Sequence, residues 1–327
     1  MQRFKKILCV MEHGETSKPA LTRAVTLAEN NQAELMVVDV VPRLSVGIGM
    51  PVSGPANRDY QAELVNEHET RLTALIATYR KRLDIQHKVL VGISFLEVIR
   101  EVLRNGHDLV IKCPESPAWL NRFLSGDDMH LLRKCPSPVW LVKPDASGPY
   151  NRILAAVDVD GSYLPKEMEV RHALNVQILE IAASLALSEF AELHVAYVWK
   201  SIYESLHDLA VLPEDAPEQA ALNVEQEHRQ HQQWLDAFLH NSGNQATQEA
   251  LNYLKPQTHL IKGSARKEIP ILARRLQVDC LVMGTVARTG IRGFLMGNTA
   301  ETILGQIDCS VLAVKPPGFE TPVALDD

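Results

Sequence analysis

The sequence has no run of about 18 consecutive apolar residues, so no segment of it reads as a bilayer-spanning helix. It has no basic excess either: 33 Lys and Arg stand against 40 Asp and Glu, a net charge of -7, which argues against a general nucleic-acid binder. Cysteine is sparse, with 5 residues at positions 9, 113, 135, 280 and 309; the odd number and wide scatter fit a reduced compartment better than a disulfide framework. Residues Met1 to Lys6 lead into Ile7-Leu8-Cys9-Val10-Met11, an apolar run too short for a secretory signal and without a small-residue cleavage site. A cytoplasmic location is the expectation. What is present is 46% hydrophobic and 22% charged residues, outside the disordered regime, in a chain of 327 residues. That length suits two domains of about 100–200 residues each.

The chain repeats itself. Phe4-Lys5-Lys6-Ile7-Leu8-Cys9-Val10-Met11-Glu12 returns as Tyr150-Asn151-Arg152-Ile153-Leu154-Ala155-Ala156-Val157-Asp158, a basic start and an apolar run closed by a carboxylate. His107 to Lys112 answers Val278 to Met283, and Pro138 to Pro144 answers Ser310 to Pro316, in the same order and at a spacing near half the chain. Asp145-Ala146-Ser147-Gly148-Pro149 is the linker between the copies.

Each copy alternates short Val/Ile/Leu runs with amphipathic stretches. Leu35 to Val41, His87 to Val91 and Leu193 to Val198 are further strand candidates. Leu21, Ala24, Val25 and Ala28 form one helical face, as do Leu174, Ile178, Ile181 and Leu185, and Leu64, Leu72, Leu75, Ile76 and Leu83 mark a long helix packed on the sheet. Near-continuous apolar strands separated by helices predict a five-stranded parallel sheet covered on both faces in each half. Ligands of such sheets bind beyond the carboxyl ends of the strands.

At the carboxyl end of the fourth strand of the second half stands Gly284-Thr285-Val286-Ala287-Arg288-Thr289-Gly290-Ile291-Arg292-Gly293-Phe294-Leu295-Met296-Gly297-Asn298-Thr299-Ala300-Glu301. Glycines let a backbone approach an anion, Asn298 or Thr299 caps a helix start whose free N–H groups favour phosphate, and Arg288 and Arg292 supply charge-assisted bonds. A glycine-rich turn with solvent-facing arginines accounts for the same residues.

This segment resembles the Gly-x2-Gly-x9-Gly-Ser/Thr/Asn signature of the universal stress protein family, which cradles the phosphates and ribose of ATP in nucleotide-binding members. Gly284 stands at the first glycine and Gly297-Asn298 at the last pair; Ala287 stands at the second glycine, a departure that adds a methyl group where phosphates approach. The repeat organisation, His172-Ala173-Leu174-Asn175, Leu131 to Pro138 and Thr321-Pro322-Val323 resemble the family's tandem subgroup over essentially the whole chain.

The resemblance implies an α/β fold of two tandem universal-stress-protein (adenine nucleotide alpha hydrolase-like) domains, each a five-stranded parallel sheet with helices on both faces. Residues 1–145 would form a degenerate domain, 150–317 a domain with the nucleotide-binding glycine loop, and 318–327 a tail. It implies that Asp158 contacts the adenine and ribose end of a nucleotide and that Val195 lines the adenine slot. Met283 and Gly284 would close the strand beside the base, with Ala287, Arg288, Gly297, Asn298 and Thr299 on the phosphate side. The implied ligand is ATP or ADP, with no metal beyond Mg carried by the nucleotide, and no nucleic-acid or membrane partner. The last strands would pair within the chain as a pseudo-dimer, with a homodimer as a further option. The function implied is a non-enzymatic stress-response binding or sensing module. The absence of a Walker lysine or Walker-B carboxylate pattern disfavours the alternative of a slow ATPase.

The first half departs from the pattern: Cys113, Ser116, Gly126 and Asp127 align with Gly284, Ala287, Gly297 and Asn298. Pro114 and Pro117 remove N–H donors, and Asp127 and Asp128 would repel phosphate, so no ATP is expected there in the usual pose. Glu12 stands where Asp158 stands, which leaves a pocket for another ligand, a metal or an apolar or lipidic molecule, as an alternative. Arg43 to Asn57 reads equally as a flap or a plain connection. His228 and His231 sit in a polar helical stretch and read as a solvated face, and Cys113, His130 and Cys135 match no zinc spacing.

Overall fold

A computed structural model describes residues 4–12, 14–44, 55–114, 126–146, 148–208, 217–285 and 296–325. The first half runs β1 (Lys6–Val10), α1 (Lys18–Asn31), β2 (Glu34–Val41), α2 (Pro55–Ile76), β3 (Ile85–Val91), α3 (Ser94–Asn105), β4 (Leu109–Lys112), α4 (Asp127–Lys134) and β5 (Val139–Leu141). The second runs β6 (Arg152–Val157), α5 (Pro165–Glu189), β7 (Glu192–Trp199), α6 (Ile202–Asp208), α7 (Pro217–Asn241), α8 (Gln245–Leu254), β8 (Gln257–Lys262), α9 (Ala265–Leu276), β9 (Cys280–Gly284), α10 (Asn298–Leu304) and β10 (Ser310–Val314).

Each half carries five parallel strands, and β5 and β10 pair antiparallel, joining the two sets into one ten-stranded sheet of order β3-β2-β1-β4-β5-β10-β9-β6-β7-β8. The apolar runs make central strands: β1, β4, β9 and β10 are buried on both faces. Leu21, Ala24, Val25 and Ala28 of α1, and Leu174, Ile178, Ile181 and Leu185 of α5, lie in the core over one face of the sheet. Helices α3, α4, α9 and α10 cover the other. The helix expected through Leu83 stops at Ile76, and Leu83 packs from the turn that follows. Among the described residues no helix is long and apolar enough to cross a membrane.

Glycine ends two equivalent strands for one reason. Gly92 after β3 and Gly263 after β8 have φ of +155° and +152°, and a Cβ on either would lie 2.8 Å from the Cγ of Glu97 or Glu268 in the following helix. Only glycine turns the chain there without displacing that side chain.

A buried ion pair clasps the halves together. Arg23 of α1 donates to Glu189 of α5 at 2.8 Å and to the Gly148 carbonyl at 2.6 Å, while its guanidinium lies 3.3 Å from the centre of the Tyr150 ring. Glu189→Gln keeps the shape and removes the charge, and should cost about 1.5–3 kcal/mol in urea unfolding. A loss below about 0.5 kcal/mol would mean the clasp does not hold the halves.

Candidate functional site

The carboxyl ends of β6, β7 and β9 open into a cavity of about 530 Å³, walled also by the starts of α5, α9 and α10. Asp158, Met283, Gly284, Gly297 and Thr299 line it, so residues distant in sequence are brought to one cavity. Asn298 is the first residue of α10, beside them. Val195 is not at the wall: it is fully buried in the core, and Tyr197 and Trp199, farther along β7, are the residues that reach the cavity. Ala287 and Arg288, like Arg292, lie outside the described residues, as do most of the Arg43 to Asn57 segment and Ser116 and Pro117.

Asp158 is held from three sides. Its Oδ2 accepts from Arg171 Nη1 and, at 3.1 Å, from the Tyr163 hydroxyl, while Asn175 brackets its backbone N–H and carbonyl. The Arg171 guanidinium lies 3.8 Å from the Tyr163 ring centre and bonds Glu167 through its other nitrogens at 3.0 and 2.8 Å. The Asp158 side chain remains 44% exposed, into the cavity. Its pKa nevertheless lies above the ordinary carboxylate value, because crowding by protein atoms outweighs the opposing effects of Arg171 and Tyr163.

The glycines at this edge do different work from what was expected. A Cβ at Gly284 would lie 2.7 Å from Leu174 Cδ2, so this glycine makes room for α5 to pack on the strand end. Gly297 precedes α10 with φ −67° and ψ 140°, and its N–H donates inward to the Thr285 carbonyl at 3.0 Å. The Gly297 amide is therefore spent within the protein; among the described residues, the donors left on this side belong to the first turn of α10.

The stretch read as a solvated histidine face is packed. His231 is only 6% exposed, stacks on Trp199 with ring centres 4.7 Å apart and meets the Tyr197 hydroxyl at 2.7 Å through Nδ1. Trp234 sits edge-on to it and closes over Gly161, where a Cβ would meet its ring at 2.7 Å. Burial pushes the His231 pKa down. One wall of the cavity is thus backed by aromatic rings from α7, which its polar sequence concealed.

The corresponding strand ends of the first half hold a charge cluster. Lys112, at the end of β4 and 2% exposed, lies 2.8 Å from both Glu12 Oε2 and Asp128 Oδ1. In the repeat register these three positions answer Met283, Asp158 and Thr299, each a wall residue of the open cavity. Burial would lower the Lys112 pKa, but Asp128 and Glu12 overcome it and leave it above the ordinary lysine value. Asp128, expected to repel phosphate, is committed to an internal cation instead. Cys113 is buried and has its thiol pushed up to about 11, chiefly by that burial, which disfavours the reactive thiolate. His130 stacks on Phe95 at 4.7 Å, and no three His, Cys, Asp or Glu side chains gather as a metal site among the described residues.

Comparison with known proteins agrees with this architecture. The model of the universal stress protein family matches residues 3–143 and again 149–315. Universal stress protein E of Escherichia coli K12 is 30% identical over 336 aligned positions, spanning 100% of this chain and 99% of that protein. The Haemophilus influenzae homologue is 27% identical over 96% of this chain. A universal stress protein structure from Pseudomonas aeruginosa UCBPP-PA14 superposes with a TM-score of 0.65 at 25% identity, covering 96% of this chain and 94% of that one. With two matches to the family model and a whole-length relative, the chain belongs to the universal stress protein family and carries two of its domains in tandem.

Proposed function

We propose that the chain is a stress-response binding or sensing module whose C-terminal cavity takes an adenine nucleotide, ATP or ADP, with Mg arriving only as the nucleotide's counter-ion. The observation that carries this reading is the make-up of the cavity: a carboxylate, Asp158, stands just after β6, and Gly297 and Thr299, at the start of α10, line the same cavity. A carboxylate accepts from ribose hydroxyls, and a helix start favours phosphate. Mg would be held by phosphate oxygens rather than by a protein cage.

Binding fits better than hydrolysis. Of the two wall carboxylates, Asp158 is committed to Arg171 and Tyr163, and the Asp160 side chain accepts from the Ser162 N–H at 2.8 Å. Each already accepts from donors of the protein, the part of a positioning acceptor rather than of a dedicated base. A ligand in the first half, the other alternative, is disfavoured by Lys112 and its two carboxylates at the strand ends.

Calorimetric titration of ATP into the wild type and Gly297→Asp tests the reading. Asp suits the extended backbone that precedes a helix and caps it well, so the fold should survive. Its charge at the phosphate side should weaken ATP by about thirtyfold or more. Equal affinity in the two proteins, with heats that confirm binding, would rule out this placement of the phosphates.

A further inference from the structure

The repeat equivalences carry one more step, because the two halves support each other unequally at the seam. Helix α4 of the first half reaches across β5 and β10. Arg133 donates through Nε and Nη2 to Glu301 Oε1 on α10, at 2.9 and 2.7 Å. The Leu132 carbonyl accepts from Lys315 Nζ, which also donates to Thr285 Oγ1 at 2.5 Å. Thr285 lines the C-terminal cavity, and its carbonyl is the one that fixes the Gly297 N–H. Two independent ties thus run from α4 to the wall formed by Thr285, Gly297 and α10.

The reverse ties are missing at the equivalent positions. In register, Arg133 answers Leu304 and Glu301 answers His130, so no charge pair can form there. Thr285 answers Pro114, which has no hydroxyl, and Lys143, which answers Lys315, pairs instead with Asp308 and Asp145 at 3.2 and 3.5 Å near the surface. At its other end, α4 is pinned by Asp128 to Lys112 in the first half.

We infer that the first half serves as a built-in scaffold for the open site of the second, with Arg133 and Lys315 acting as positioning residues for Thr285, Gly297 and α10. The duplication then has a division of labour: one copy holds an internal ion cluster where the other has cavity-lining residues, and it anchors the helix that steadies the other copy's wall. This stands apart from the identity of the ligand, since it concerns the wall itself.

Hydrogen exchange of residues 296–304 in the full chain without added ligand tests it, in wild type, Arg133→Glu, Glu301→Arg, the double exchange and Lys315→Met. Arg133→Glu should speed exchange of α10 by about tenfold, and the double exchange should bring it back to within about threefold of wild type. Lys315→Met should speed the same segment while β1 and α3 keep wild-type rates. Wild-type rates in α10 for both Arg133→Glu and Lys315→Met, or no rescue in the double exchange, would overturn the inference. If Arg133→Glu does not fold, Lys315→Met decides alone. A parallel ATP titration separates the two readings: a wild type that binds no ATP defeats the nucleotide assignment, whereas the scaffold claim is settled by the exchange rates.

Discussion

Lys112→Met should lower the unfolding free energy by about 3–5 kcal/mol at neutral pH, although Met is close to lysine in volume. The substitution leaves Glu12 and Asp128, whose side chains are only 9% and 12% exposed, facing each other with no cation between them. The cost comes from stranding two buried carboxylates without their cation. Adding Glu12→Gln and Asp128→Asn to Lys112→Met should recover most of the loss, since replacing a whole buried ion cluster by neutral groups is often nearly neutral. Urea unfolding of the three proteins gives the answer. A single-variant loss below about 1 kcal/mol would mean that the cluster does not hold the strand ends closed.

A pH effect of similar size is expected from Lys315. This side chain is buried with a carbonyl and a hydroxyl as its acceptors, and burial pushes its pKa down to about 7 from the ordinary lysine value of 10.5. Below about 7 the ammonium is charged in both the folded and unfolded chain, and the full burial penalty applies. Between that value and 10.5 the unfolded chain still binds the proton and the folded chain does not, so stability rises with pH across this window. The gain is about 1.4 kcal/mol per pH unit, on the order of 5 kcal/mol in all. The buried thiols pull the other way in alkali, because folding raises the pKa of Cys113, Cys135 and Cys309 above 9.0. The difference between wild type and Lys315→Met therefore isolates the lysine. Unfolding at pH 6.5, 8 and 9.5 should show the wild type gaining on the variant at each step; parallel curves would show that Lys315 titrates as an ordinary lysine.

The sequence reveals the sheet more readily than the site. Ile7 to Met11 and Ser310 to Val314 announce strands because they are buried on both faces, and the repeat spacing announces the duplication. Strand β8, Gln257–Lys262, is a half-exposed edge with only Leu260 and Ile261 apolar and gives little signal. Burial on both faces also hides which alternate residues of β7 point toward a ligand. Val195 faces the core two positions before Tyr197, and the cavity begins only where the strand ends.

Asp158 is visible as a carboxylate closing an apolar run, but its partners Arg171 and Tyr163 are brought to it by the turn into α5 and belong to no motif. His231 looks solvated among Gln230, Gln232 and Gln233; the ring it stacks on, Trp199, comes from a strand 32 residues earlier. Lys112 ends β4 and Lys315 directly follows β10, each closing a near-continuous apolar run, so both ammonium groups are carried into the protein interior. What each lysine bonds to depends on tertiary contacts: Lys112 meets carboxylates of its own half, Lys315 a carbonyl of the other.

A crystal structure of the full chain grown with ATP tests the asymmetry of the two copies most directly. One nucleotide should appear per chain, its ribose at Asp158 and its phosphates toward Thr299, with Lys112 still bound to Glu12 and Asp128. A nucleotide seated at Lys112, or a C-terminal cavity left without nucleotide at saturating ATP, would contradict the account.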